Sequence, residues 1–172
     1  DEEADMQIRH GRGIWAGMKS DRLTWDELFP VCSAQLSQGK TPPETPDALL
    51  QHTLLHVIGY EEGWGYWLNQ AGFHHLTPSR SMQFDTLISA LEMAALGQGL
   101  ALGRTSLVAN MLADGRLVAP FEQRLATSEA FYLACPTHKF AHPSAETFRT
   151  WLIDEAESAR DHAGTDPEPI LN

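Results

Sequence analysis

His52 and His56 stand four positions apart, and on a helix that spacing stacks two imidazoles on one face, the geometry with which zinc hydrolases hold their metal. With one of Glu61 or Glu62 added, the set defines an alternative reading as a metal-dependent hydrolase. One part is missing. The position after the first histidine, where such motifs place a glutamate base, is Thr53, and Leu54, Leu55, Val57 and Ile58 favour a strand over a helix. His74-His75 could supply a third ligand, but adjacent histidines in a polar stretch read more simply as loop. The balance of these residues predicts no metal and no other cofactor.

Other chemistries are weaker still. Gly97-Gln98-Gly99-Leu100-Ala101-Leu102-Gly103 has the glycines of a dinucleotide loop, yet it closes a helix and opens a strand, whereas phosphate binding needs a strand running into a helix. Cys135, with His138 and Lys139 near it, lies in an apolar run and makes a poor nucleophile. Polar groups at the predicted ends of strands remain: His10-Gly11-Arg12, Asp85-Thr86, Gly103-Arg104-Thr105-Ser106 and the aromatic pair Phe131-Tyr132. In open α/β sheets, strand carboxyl ends and the helix N-termini after them form the ligand crevice. Helix N-termini at Thr86 and Thr105, through their free amides, with Arg12 or Arg104 as a bidentate clamp, could hold a carboxylate or phosphate there.

The elements that must position these groups change period often, which predicts short strands alternating with helices, an α/β chain. A strand over 5–10 runs into the Gly11-Arg12-Gly13 turn, a loop follows, and 23–32 is extended because Pro30 forbids a long helix. After the loop 39–46 come a short helix start at 46–50, a buried strand over 53–59 and a helix over 64–71. The clearest pattern is strand 81–84, Asp85 as N-cap, and a helix with Leu87, Leu91, Ala94 and Ala95 on one stripe, stopped by Gly97 and Gly99. Strand 99–103, helix 105–115 and a strand over 116–121 then complete a βαβαβ unit. Strand 130–135 and a helix over 143–159 follow, and the tail GTDPEPILN is expected to fray.

Composition narrows the classes. Twelve Lys+Arg against 23 Asp+Glu give a formal charge of −11, and the scattered basic residues argue against direct nucleic-acid binding by this chain. Apolar stretches such as 90–97 fall far short of the ~20 residues that cross a bilayer. Two cysteines exclude a disulfide framework, and no secretory leader is visible at DEEAD, so a cytoplasmic location is expected.

Several strings taken together, ADMQIRHGRGIWAG, ELFPVCS, HTLLH, QFDTLISALEMAALGQGLALGRTSLVANMLADGRLVAPF, FYLACP and FRTWLIDEA, resemble the effector-binding domain of LysR-type transcriptional regulators, in the branch of glycine-cleavage and β-lactamase activators. The resemblance covers about residues 4 to 159. It implies a two-lobe fold like that of type 2 periplasmic binding proteins: 1–24 and 136–172 in lobe one, 25–32 and 129–135 as crossover hinge strands, and 33–128 as lobe two. It also implies that the helix-turn-helix and the first part of lobe one lie outside this sequence, leaving apolar surface on that lobe. The family's cleft residues fall on Thr86, Leu87 and Phe131; relatives that sense cell-wall peptides carry Ser and Tyr in place of Leu87 and Phe131, so a smaller or more apolar effector is expected here. The implied protein is a non-enzymatic sensor that binds a small metabolite between its lobes. It forms a dimer or tetramer, reaches DNA only through the missing domain, and has no membrane partner. The expected effector contacts are His10, Gly11, Arg12, Asp85, Thr86, Leu87, Gly103, Arg104 and Phe131. A solute-binding protein of a transporter, sharing the fold, is the further alternative.

Overall fold

The computed structural model describes residues 4–137 and 142–163 and divides the chain into two compact units, Asp1–Trp25 with Ser128–Asn172, and Asp26–Thr127. The chain therefore passes between units twice, at 25/26 and 127/128.

The first unit is built on a three-stranded antiparallel sheet. Strand β1 (Gln7–Gly11) and strand β2 (Met18–Arg22) flank the long strand β8 (Ala130–Pro136), with His10 opposite Phe131 and Arg22 opposite Tyr132. Strand β2 was expected to be loop. Its sequence, MKSDR, has no apolar alternation, and it becomes a strand through its pairing with β8, a tertiary effect that local pattern does not carry. Helix α4 (Ala145–Ala163) is tied to this sheet by Arg149, whose Nη2 and Nε donate to Asp21 Oδ2 at 2.7 and 3.1 Å. The guanidinium of Arg160 lies over the Trp25 ring. Ile8, Ile14, Phe148 and Trp151 are exposed on this unit. The frayed tail expected at 164–172 lies outside the described residues.

The second unit carries a five-stranded sheet in the order β5 (Ser81–Phe84), β4 (Leu54–Val57), β6 (Leu100–Arg104), β3 (Glu27–Val31) and β7 (Leu125–Ala126). Strands β5, β4 and β6 are parallel, while β3 runs antiparallel to β6 and to β7. Alternation along the strands sorts the core into two faces. Leu28, Leu54, Leu100 and Leu102 pack with Trp64, Trp67 and Leu68 of helix α1 (Trp64–Gln70). Phe29, Val31, Leu55 and Ala101 pack with Leu87, Leu91 and Ala94 of helix α2 (Leu87–Ala95) and with Val108 and Met111 of helix α3 (Thr105–Ala113). The predicted stripe on α2 is thus the buried one.

Two local expectations are corrected. The N-cap of α2 is Thr86, not Asp85: Thr86 is extended and its Oγ1 accepts from the N–H of Ser89 at 3.2 Å. The strand expected over 116–121 does not form, so the proposed βαβαβ unit lacks its last strand. Only an isolated bridge joins Val118 to Cys32, because Pro120 lacks an N–H and β7 takes the place beside β3. The glycine run behaves as a helix stop: Gly97 has φ of +76°, and a Cβ there would lie 2.6 Å from the Gln35 carbonyl oxygen.

Candidate functional site

Strands β4 and β6 end side by side, and the segment after β4 folds back over their carboxyl ends. This is where parallel sheets hold ligands. A pocket of about 210 Å3 opens there, within the second unit. His56 and Val57 line it from β4, Tyr60, Glu61 and Glu62 from the following loop, and Trp64 and Tyr66 from the start of α1. Leu102 and Arg104 of β6, Leu28 of β3 and Leu87 of α2 close the floor. Trp64 is locked in place, its indole Nε1 donating to the Leu55 carbonyl at 3.1 Å.

The electrostatics behind the pocket are unusual for so apolar a core. Arg104 is 1% exposed and Glu62 4% exposed, and ions so deeply buried persist only when partnered. Arg104 Nη1 donates to Thr127 Oγ1 at 3.2 Å, and the Thr127 hydroxyl donates to Glu62 Oε2, so one hydroxyl links cation to anion. The guanidinium also sits 4.7 Å from the centroid of the Tyr60 ring. Beside this chain, Asp26 Oδ1 accepts from the N–H of Ser106 at 2.7 Å, and the N–H of Thr127 donates to the Asp26 carbonyl at 3.2 Å. Asp26 and Thr127, the two ends of the second unit, are therefore bonded to each other directly below the pocket wall. Burial lowers the His56 pKa and keeps its imidazole neutral at pH 7.

The predicted contacts divide between the units. Leu87 and Arg104 line the pocket. Asp85 and Thr86 are exposed at the start of α2 and do not line it, and Gly103 is buried in β6, where a Cβ would come within 2.9 Å of Val108 Cγ1. His10, Gly11, Arg12 and Phe131 belong to the first unit, where the His10 ring meets Phe131 edge-on at 5.1 Å and Arg12 is exposed. The amides expected to greet an anion already have internal acceptors: Ser106 bonds the Asp26 carboxylate, and Ser89 bonds the Thr86 hydroxyl. Tyr60, Trp64 and Tyr66 were missed. The string YEEGWGYW, directly after a buried strand, carried the signal in its aromatic and acidic density.

The hydrolase alternative finds no support in the arrangement. His52 precedes a strand instead of riding a helix, and it and His56 open into different pockets. No group of three metal-binding side chains occurs among the described residues. Both thiols are buried, and burial pushes Cys32 up to about 12 and raises Cys135 as well; His138 and Lys139 lie outside the described residues.

A family model described as the LysR substrate-binding domain matches residues 1–157. The chain belongs to that family. It is 32% identical over 160 residues to the glycine cleavage system transcriptional activator of Escherichia coli K12, covering 93% of this chain and 52% of that protein. It is 29% identical over 155 residues to the HTH-type transcriptional activator AmpR of Enterobacter cloacae, covering 90% and 52%. Among solved structures, the effector domain of AmpR from Pseudomonas aeruginosa superposes with a TM-score of 0.76 at 32% identity, over 92% of this chain and 76% of that one. The AmpR effector-binding domain of Citrobacter freundii gives 0.78 at 24% identity, over 90% and 75%, a likeness of fold. The fold is accordingly that of LysR effector-binding domains, the periplasmic-binding-protein-like type expected from sequence. The relatives are named as transcriptional regulators, not enzymes, and the chain spans about half their length. No described helix is long and apolar enough to cross a membrane.

Proposed function

We propose that this chain is the effector-sensing domain of a LysR-type transcriptional regulator, non-enzymatic and cytoplasmic. A small metabolite biases two conformations of the domain, and the full-length oligomer reads out that bias through a DNA-binding domain outside this sequence. The observation that carries the reading is the pocket at the carboxyl ends of β4 and β6 in a chain of this family. Leu87, Arg104, Tyr60 and Trp64 are its proposed effector contacts on the second unit, with His10, Gly11, Arg12 and Phe131 as proposed contacts on the first, and Asp85, Thr86 and Gly103 as positioning residues. The segments 25–32 and 129–135 are the proposed hinge, and the Asp26–Thr127 bond with the Arg104–Thr127–Glu62 chain supports it by fixing both passages to one rigid edge.

At about 210 Å3 the pocket is smaller than the roughly 300–1,000 Å3 of sites for drug-sized ligands, which favours a compact effector. A relative named for activating the glycine cleavage system puts amino acids first among the candidates, followed by small carboxylates and aromatic acids. The test is an amide-resolved NMR titration with these compounds. The proposal expects one of them to shift the signals of Tyr60–Tyr66 saturably. A compound that binds tightly while leaving those signals untouched would overturn the assignment of the pocket.

A further inference from the structure

The effector pocket occupies the carboxyl ends of the parallel strands. At their amino ends lies a second pocket, of about 170 Å3, whose lining includes Lys40, His52, Thr53, Arg80 and Gln98. No Asp or Glu belongs to that lining, although the chain carries 23 acidic residues and a formal charge of −11. The basic groups are held in place by the fold. The Arg80 carbonyl accepts from the N–H of Leu54 at 3.0 Å, which anchors Arg80 where β5 joins β4, and its guanidinium makes no ion pair among the described residues. Lys40 Nζ donates to the Gln51 carbonyl at 2.6 Å, so its ammonium stands next to His52. His52 itself is 7% exposed, and its ring makes no hydrogen bond among the described residues. Its ring nitrogens are not among the buried polar atoms that lack a partner, so the ring opens to the pocket it lines and can bond what enters there. The charge of Lys40 adds to burial in lowering the His52 pKa, as expected where positive potential is uncompensated.

We propose that this pocket is a second ligand site, specific for a small dianion, held by Lys40 and Arg80 as charge partners with His52 as a hydrogen-bonding floor. The anion relieves the repulsion among the basic groups and takes a hydrogen bond with the imidazole that lines the pocket. Because the site lies at the opposite ends of β4 and β6 from the effector pocket, it does not depend on the effector assignment.

Isothermal titration of the purified protein with inorganic phosphate and, separately, with succinate tests the proposal. It expects saturable binding of at least one of them at a single site, weakened about tenfold by Lys40→Ala and by Arg80→Ala, with Arg80→Lys recovering part of the loss. Phosphate alone binding would assign a phosphorylated metabolite, and succinate alone a dicarboxylate. Both substituted side chains are at least partly exposed, and unchanged circular dichroism would show the fold intact. No saturable binding of either anion up to roughly 10 mM, or binding that survives the double Lys40→Ala/Arg80→Ala variant, would overturn it.

Discussion

Arg104 is the side chain on which most of the site depends. It is fully buried, it faces Tyr60, and through Thr127 it balances the carboxylate of Glu62. Replacing it with Met keeps the volume and removes the cation that Glu62 reaches through Thr127. Breaking such a pair by losing one partner costs about 3–5 kcal/mol, so Arg104→Met is expected to lower the unfolding free energy by that much, read as a lower urea midpoint at unchanged slope. A loss below ~1 kcal/mol would mean that the chain of contacts is not the support described here. The two histidines set a pH dependence of defined sign. His52 and His56 both have pKa values lowered from 6.5 by burial. Below 6.5 the unfolded chain takes up protons that the folded chain refuses, so stability falls as pH drops from there until the folded values are reached. Urea midpoints measured from about pH 7.5 down to about pH 5 should decline, and His52→Gln with His56→Gln should flatten the decline. A profile in the wild-type protein that rises on acidification would contradict the burial of both rings.

Helix starts and strand ends are where sequence and structure part company. The run from β5 through α3 was legible because its apolar periodicity is strong and its glycines mark real stops, as at Gly97. Strand β2 was not, because MKSDR owes its conformation to β8. The segment 116–121 looked like a strand from composition, but its place beside β3 is filled by β7. Asp85 and Thr86 are both good N-caps, and composition alone does not choose between neighbours; the extended backbone of Thr86 and its bond to Ser89 decide it. Thr86→Ala should therefore cost about 1 kcal/mol of stability, measured by urea unfolding, whereas Asp85→Ala should cost only a few tenths. Equal losses from the two would return the cap to Asp85. The site was legible to the same degree: the direction, toward strand ends, was readable, and Leu87 and Arg104 were named. In the loop Tyr60–Gly63 only the two glutamates were weighed, as metal ligands, since an acidic and aromatic turn has no period to reveal that it folds over a strand end.

The chain passes twice between two compact units, and the two ends of the second unit are bonded to each other; the proposed effector acts by favouring one conformation over another. Family membership sets the fold, while the pocket's small volume and mixed polar and aromatic lining set the kind of effector the account expects. The most direct test of that account is thermal unfolding of the purified protein against a panel of amino acids, small carboxylates, aromatic acids, zinc and a chelator. A compound present at about a hundred times its dissociation constant adds ~2.7 kcal/mol to the native state, which for a chain of this length raises the midpoint by roughly 5–11 °C. The account predicts such a shift from one small organic member of the panel, and its loss when Tyr60 and Trp64 are both replaced by Ala in protein that still unfolds cooperatively. A shift produced by zinc alone and reversed by the chelator, with none from any organic compound, would contradict it.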